Sequence, residues 1–415
     1  MTQPAMARSS RSNIAAIKGL TYVMFAMFAM TTDSVGLIIP ELIKTFQLSL
    51  TAAGSFHYAT MAGIALAGFL LGHLADLYGR KSTIVGGLAL FAATSYLFLA
   101  TSSFALFCAL MALSGIAIGV FKTGALALIG DITRSTAEHT TVMNTVEGFF
   151  GVGSVVGPLL LTQLLTSGVP WQWLYVIAGS ICVLLLVTAL AIRYPGKAAA
   201  AEQMDFHAVA AVMKNRFVLL FSLGVFLYVA VEAGVYVWAP TLLEGYAGSG
   251  KWIAVNSVAV FFVLRAAGRF LGAWLLGRLS WTSFLVLCSG GILACFLATV
   301  AGGIGWAVFA LPLSGLFMSV IYPTLNSKGI SCVPKSEHGA ASGAILFYTC
   351  VSAVLAPLAM GAVSDAMGGP IYGFGLATLF AALLFVGVLL NYFFNPASAV
   401  FEKADQTDYK PIVSE

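Results

Sequence analysis

The sequence predicts an all-α integral membrane protein: twelve transmembrane helices in two six-helix, pseudo-symmetric halves. Three observations carry this. The chain is 60% hydrophobic and 9% charged, with a mean hydropathy of +0.96, whereas soluble chains carry about a quarter charged residues. Twelve apolar stretches follow one another, each of about 20 residues or more and able to cross a bilayer with some tilt. The longest polar break, 195–216, falls midway.

In order, the polar and basic segment 1–16 precedes a first half, 17–194, with spans at 17–40, 52–74, 82–101, 104–131, 139–165 and 171–194. The first is read as a span and not a removed signal peptide, because no small-residue cleavage site leads into a soluble domain. The linker 195–216 holds Lys197, Glu202, Asp205, His207, Lys214 and Arg216. Its stretch 205–214 fits a short amphipathic helix on the membrane surface. The second half, 217–394, has spans at 217–243, 252–278, 282–301, 304–332, 339–363 and 371–394, and 395–415 is a polar tail.

Basic residues set the expected orientation. Arg8, Arg11, Arg80, Lys81, Arg134, Arg193, Lys197, Lys214, Arg216, Arg278, Lys335, Lys403 and Lys410 share one side, and the other holds little beyond Lys44 and Lys251. By the positive-inside rule both termini are cytoplasmic. A net charge of +4, gathered on no soluble domain, excludes a nucleic-acid partner. None of the six cysteines has CxxC spacing, so neither a metal site nor a disulfide framework is indicated. No metal-ligand cluster, nucleophile elbow or signalling domain points to an enzyme. No cofactor is expected beyond a proton gradient.

Between the second and third spans lies Gly72-His-Leu-Ala-Asp76-Leu-Tyr-Gly79-Arg80-Lys81. This turn resembles the loop between helices 2 and 3 of the major facilitator superfamily, Gly-x-x-x-Asp-(Arg/Lys)-x-Gly-(Arg/Lys)-(Arg/Lys), with Leu77 replacing the first basic residue. The resemblance implies a secondary transporter with substrate bound near the midplane between two parallel repeats. It also implies a gate: Asp76 and Arg80 latch the cytoplasmic side against helix 11, with Arg80 able to reach Asp131. A weak internal repeat agrees, with Asp33 seven residues before Pro40 and Glu232 eight before Pro240.

Four further stretches resemble the fucose/glucose–proton symporter branch. They are Asp33 with Gly36 to Pro40 and Phe46-Gln47-Leu48-Ser49; Met143-Asn144 through Glu147, Phe149, Phe150, Gly151, Gly153, Gly157 and Pro158; Tyr228 to Glu232 with Trp238 to Pro240; and Gly268-Arg269-Phe270-Leu271-Gly272-Ala273-Trp274. Lys122 stands near the place where fucose symporters carry a Glu, so their two-carboxylate relay does not transfer unchanged.

A charge inside a bilayer costs at least about 2.5–3.5 kcal/mol, so each is a functional candidate. At about 1.5 Å per residue, Asp33 and Glu232 lie roughly 24 Å from the cytoplasmic helix ends, Arg265 roughly 20 Å, and Lys122 and Glu147 roughly 13 Å. Two level pairs follow: Lys122 with Glu147, and Glu232 with Arg265. Asp33 has no cation level with it and is the first choice for proton coupling, Glu147 the second. Sugars are held by amide and carboxylate hydrogen bonds over an aromatic platform. Candidates beside the charged residues are Tyr58, Asn144, Tyr236, Trp238, Tyr322 and Asn326, with Trp238 favoured because Pro240 bends its helix.

The expected function is a monomeric, proton-coupled symporter of a hexose or short glycoside in a bacterial-type inner membrane, working by alternating access. Two alternatives keep the fold. In one, Lys122, Arg265 and Lys328 neutralise an organic anion or sugar acid. In the other, the Gly153-x-x-x-Gly157-Pro158 run serves multidrug or metabolite efflux.

Overall fold

The computed structural model describes residues 3–71, 77–133, 136–194, 211–276, 278–334 and 337–402. Every regular element among them is helical. The expected linker lies outside the described residues up to residue 210, as does the tail beyond 402. The chain forms two compact units: residues 1–203 without 49–51, and 204–415 together with 49–51. Nine described helical stretches are long and apolar enough to cross a membrane. The other three expected spans also contain helices, at Ser55–Leu70, Arg80–Leu97 and Ser257–Leu276.

In the first unit, α1 (Gln3–Thr32) and α2 (Val35–Phe46) replace the continuous first span. The break at Asp33–Ser34 has a local cause. Hydroxyls of Thr31, Thr32 and Ser34 bond back to the carbonyls of Phe28 and Met30, a pattern that bends helices. After α3 (Leu50–Ala53), whose first two residues belong to the second unit, come α4 (Ser55–Leu70), α5 (Arg80–Leu97), α6 (Phe104–Ile132), α7 (Thr136–Thr166) and α8 (Gln172–Ala191). The core is aromatic: Phe28 meets Phe91 and Phe121 with ring centroids at 4.8 and 4.6 Å. Helices α1 and α7 touch backbone to backbone, since a Cβ on Gly153 or Gly157 would overlap the carbonyl oxygen of Ala26 or Met30. That is the close approach expected of small-x-x-x-small spacing.

In the second unit, α9 (Arg216–Ala233) runs into a π-helical turn, Gly234–Trp238, and then α10 (Ala239–Leu242). Pro240 lacks the N–H that the carbonyl four residues earlier needs, and one extra residue in the turn is a common accommodation. There follow α11 (Lys251–Val255), α12 (Ser257–Leu276), α13 (Trp281–Gly302), α14 (Ile304–Met318), α15 (Ile321–Ile330), α16 (His338–Met367) and α17 (Pro370–Phe394). The expected tenth span is therefore broken at Ser319–Val320. Pro323 offers no N–H to the carbonyl of Ser319, whose hydroxyl turns back to Leu316.

Candidate functional site

In the first unit, α7 carries Glu147, Phe150 and Ser154 at i, i+3 and i+7, the spacing of one helix face. The Ser154 hydroxyl donates a short hydrogen bond to Asp33 Oδ2, and Thr32 Oγ1 lies 3.3 Å from Asp33 Oδ1. The helix break thus presents a half-buried carboxylate to α7. One turn away, Lys122 of α6 holds its ammonium 5.2 Å from the centre of the Phe150 ring.

The expected Lys122–Glu147 ion pair is not formed. Lys122 is half-buried over Phe150, the Glu147 side chain is exposed, and neither has an ion pair among the described residues. The lysine is taken up by the Phe150 ring, one turn along α7, and the Glu147 side chain turns to the exposed surface. Asn144 is exposed on the same helix, whereas Tyr58 of α4 is buried. Ser154 and the face of Phe150 were missed as partners, although their spacing from Glu147 was visible.

In the second unit, the expected Glu232–Arg265 pair is present, with Oε1 and Nη1 2.7 Å apart. Tyr228, one turn earlier on α9 and fully buried, donates its hydroxyl to the same Oε1 at 3.0 Å. That hydroxyl also lies 3.1 Å from the carbonyl oxygen of Met318 at the end of α14. A buried carboxylate is thus satisfied by an ion pair and a phenol, as burial of charge demands. Tyr322 packs 6.1 Å from the Tyr228 ring and Tyr236 6.2 Å from Phe262, while Asn326 is half-buried on α15.

Trp238 departs from expectation. Its indole is 3% exposed, donates to the carbonyl oxygen of Pro357 at 3.0 Å and lies against Gly361. The π-helical turn shifts the phase between Glu232 and Trp238, so the indole packs onto α16 and offers no open platform.

At the turn before α5, Gly79 has φ +88°, a conformation that favours glycine. Arg80 Nε and Asp131 Oδ2 meet at 2.9 Å, tying α5 to the end of α6 as expected. Lys81 donates to the carbonyls of Leu190 and Ile192 at 2.7 and 2.8 Å. It therefore serves the open C-terminal end of α8, where a cation is favoured. Gly72 and Asp76 lie outside the described residues.

A family model described as Major Facilitator Superfamily matches residues 21–357. Curated relatives are distant. A TsgA homolog of Erwinia tasmaniensis is 24% identical over 90% of this chain and 95% of its own. Protein TsgA of Escherichia coli is 23% identical over 75% of this chain and 79% of its own. Among solved structures, the nucleoside transporter NupG superposes with a TM-score of 0.71 at 13% identity, covering 94% of this chain and 99% of that one. A point variant of the Escherichia coli fucose:proton symporter FucP gives 0.63 at 21% identity, with 90% and 98% coverage. These likenesses show a shared fold.

Proposed function

The chain belongs to the major facilitator superfamily, and within that family of membrane transporters we propose that it is a proton-coupled symporter of a hexose or short glycoside. The observation that supports this best is the carboxylate of Asp33 at the break between α1 and α2, bound by the hydroxyls of Ser154 and Thr32. A carboxyl there gains or loses a proton at the point where the helix is already interrupted. The pair Glu232–Arg265, with Tyr228, supplies a second polar centre. Hydroxyl-bearing ring substrates fit such carboxylate, phenol and amide groups, and a fucose:proton symporter and a nucleoside transporter share the fold. In this reading the protein lies in a bacterial-type inner membrane with both termini cytoplasmic. Arg80, Asp131 and Asp76 belong to a cytoplasmic gate.

A second reading is favoured by Lys122, which has no ion pair among the described residues and rests over Phe150. A substrate carboxylate would complete it, making the cargo a sugar acid. Uptake of radiolabelled hexoses, glycosides and hexuronates into vesicles, with and without an inward proton gradient, tests both. Gradient-driven hexose accumulation supports the first reading and hexuronate selectivity the second. Transport indifferent to the proton gradient overturns the coupling.

A further inference from the structure

The second unit contains an apolar groove of about 270 Å³. Its walls include Leu220 and Gly224 of α9, Leu325 of α15, and Leu384, Gly387 and Asn391 of α17. The glycines make the space: a Cβ on Gly387 would meet nothing within 4 Å, and one on Gly224 only Leu325. Water does not fill so apolar a cavity, and an empty one forfeits dispersion contacts along its whole lining. In a chain that spans a bilayer, the filler at hand is an acyl chain.

The end of the groove selects the headgroup. Phe221 lines the groove and also packs against Trp281 and Phe401, with ring centroids at 6.5 and 6.2 Å. Over those two rings stands the ammonium of Lys328, 5.2 Å from Trp281 and 4.9 Å from Phe401. Lys328 has no ion pair among the described residues, Glu402 included. Arg216 lies one turn before Leu220 on the same stripe of α9 and is exposed. Two cations therefore lie toward the Leu220–Phe221 end of the slot, Lys328 over Trp281 and Phe401 and Arg216 with its guanidinium 4.7 Å from the Phe217 ring, and Asn391 supplies an amide among the apolar walls.

We propose that this groove is a binding site for one anionic phospholipid, its acyl chain between Gly224 and Gly387 and its phosphate between Arg216 and Lys328. The site is independent of what is transported. The test is native mass spectrometry of the full chain, purified in mild detergent from membranes containing phosphatidylglycerol and phosphatidylethanolamine. One phosphatidylglycerol per monomer is expected to survive, and Gly387→Phe, which fills open space, to remove it. Arg216→Gln and Lys328→Gln should each lower retention roughly fivefold, the effect of about 1 kcal/mol per basic residue at a membrane surface. Should Gly387→Phe not fold, the two cation variants carry the test. Equal retention of phosphatidylethanolamine, retention of a free fatty acid instead, or phosphatidylglycerol retention unchanged by these substitutions overturns the proposal.

Discussion

Glu232 and Arg265 sit 2.7 Å apart on neighbouring helices, and the Tyr228 hydroxyl completes the carboxylate from one turn away. Removing one member of such a buried pair strands the other charge, at about 3–5 kcal/mol. Arg265→Gln is expected to lower the apparent melting temperature in detergent sharply. Tyr228→Phe should lower it less, losing a hydrogen bond to a charged group worth about 1.5–3 kcal/mol. Glu232→Gln combined with Arg265→Gln should recover part of the loss, because the two changes are coupled. Additive losses would show that the pair does not act as a unit.

Lys122→Gln should behave differently. With no ion pair to break, the stability lost is that of a cation–π contact, about 0.5–2 kcal/mol. Glu147→Gln should be nearly neutral for stability. A loss as large as that of Arg265→Gln would mean that Lys122 neutralises a buried carboxylate after all.

Asp33→Asn should abolish accumulation driven by a proton gradient and spare exchange of substrate down its own gradient. The amide imitates a permanently protonated carboxyl. Counterflow and gradient-driven uptake measured side by side separate the two, and full accumulation by Asp33→Asn would remove this residue from the coupling path.

Two glycines on one helix make an internal control. A Cβ at Gly157 would run into the backbone of Met30, whereas one at Gly151 meets nothing within 4 Å. Gly157→Ala is therefore expected to cost about 1–3 kcal/mol through overpacking. Gly151→Ala should be neutral or gain up to about 1 kcal/mol of helix propensity. Comparable yields and melting temperatures for the two variants would contradict the close contact of α1 with α7.

Asp131→Asn releases Arg80 from the end of α6. If the turn is a gate, its contacts exist in one state only, so turnover should fall more than substrate affinity. Cysteine labelling near the Thr136 end of α7 should rise as well. Unchanged labelling would leave this ion pair a fixture of the first unit alone.

Much of this was legible from the residues. Apolar runs located the helices, Gly153 and Gly157 marked a close contact, and depth along a helix matched Glu232 to Arg265. Depth failed for Lys122 and Glu147 because height along a helix says nothing of which way a side chain turns, and the lysine meets the ring of Phe150. Trp238 failed for a related reason: a π-helical turn adds a residue that periodicity does not count. The break at Asp33 was hidden because its cause is a cluster of Thr and Ser hydroxyls and no proline stands at the break itself.

The bonds from Lys81 to the carbonyls of Leu190 and Ile192 change how variants in this turn should be judged. Arg80 and Lys81 are adjacent, yet one answers to α6 and the other to α8. Neutralising Lys81 frays the last turn of a helix whether or not the carrier is cycling. A transport defect at that position is then expected to accompany a folding defect, whereas variants of Arg80 and its partner Asp131 test the proposed gate.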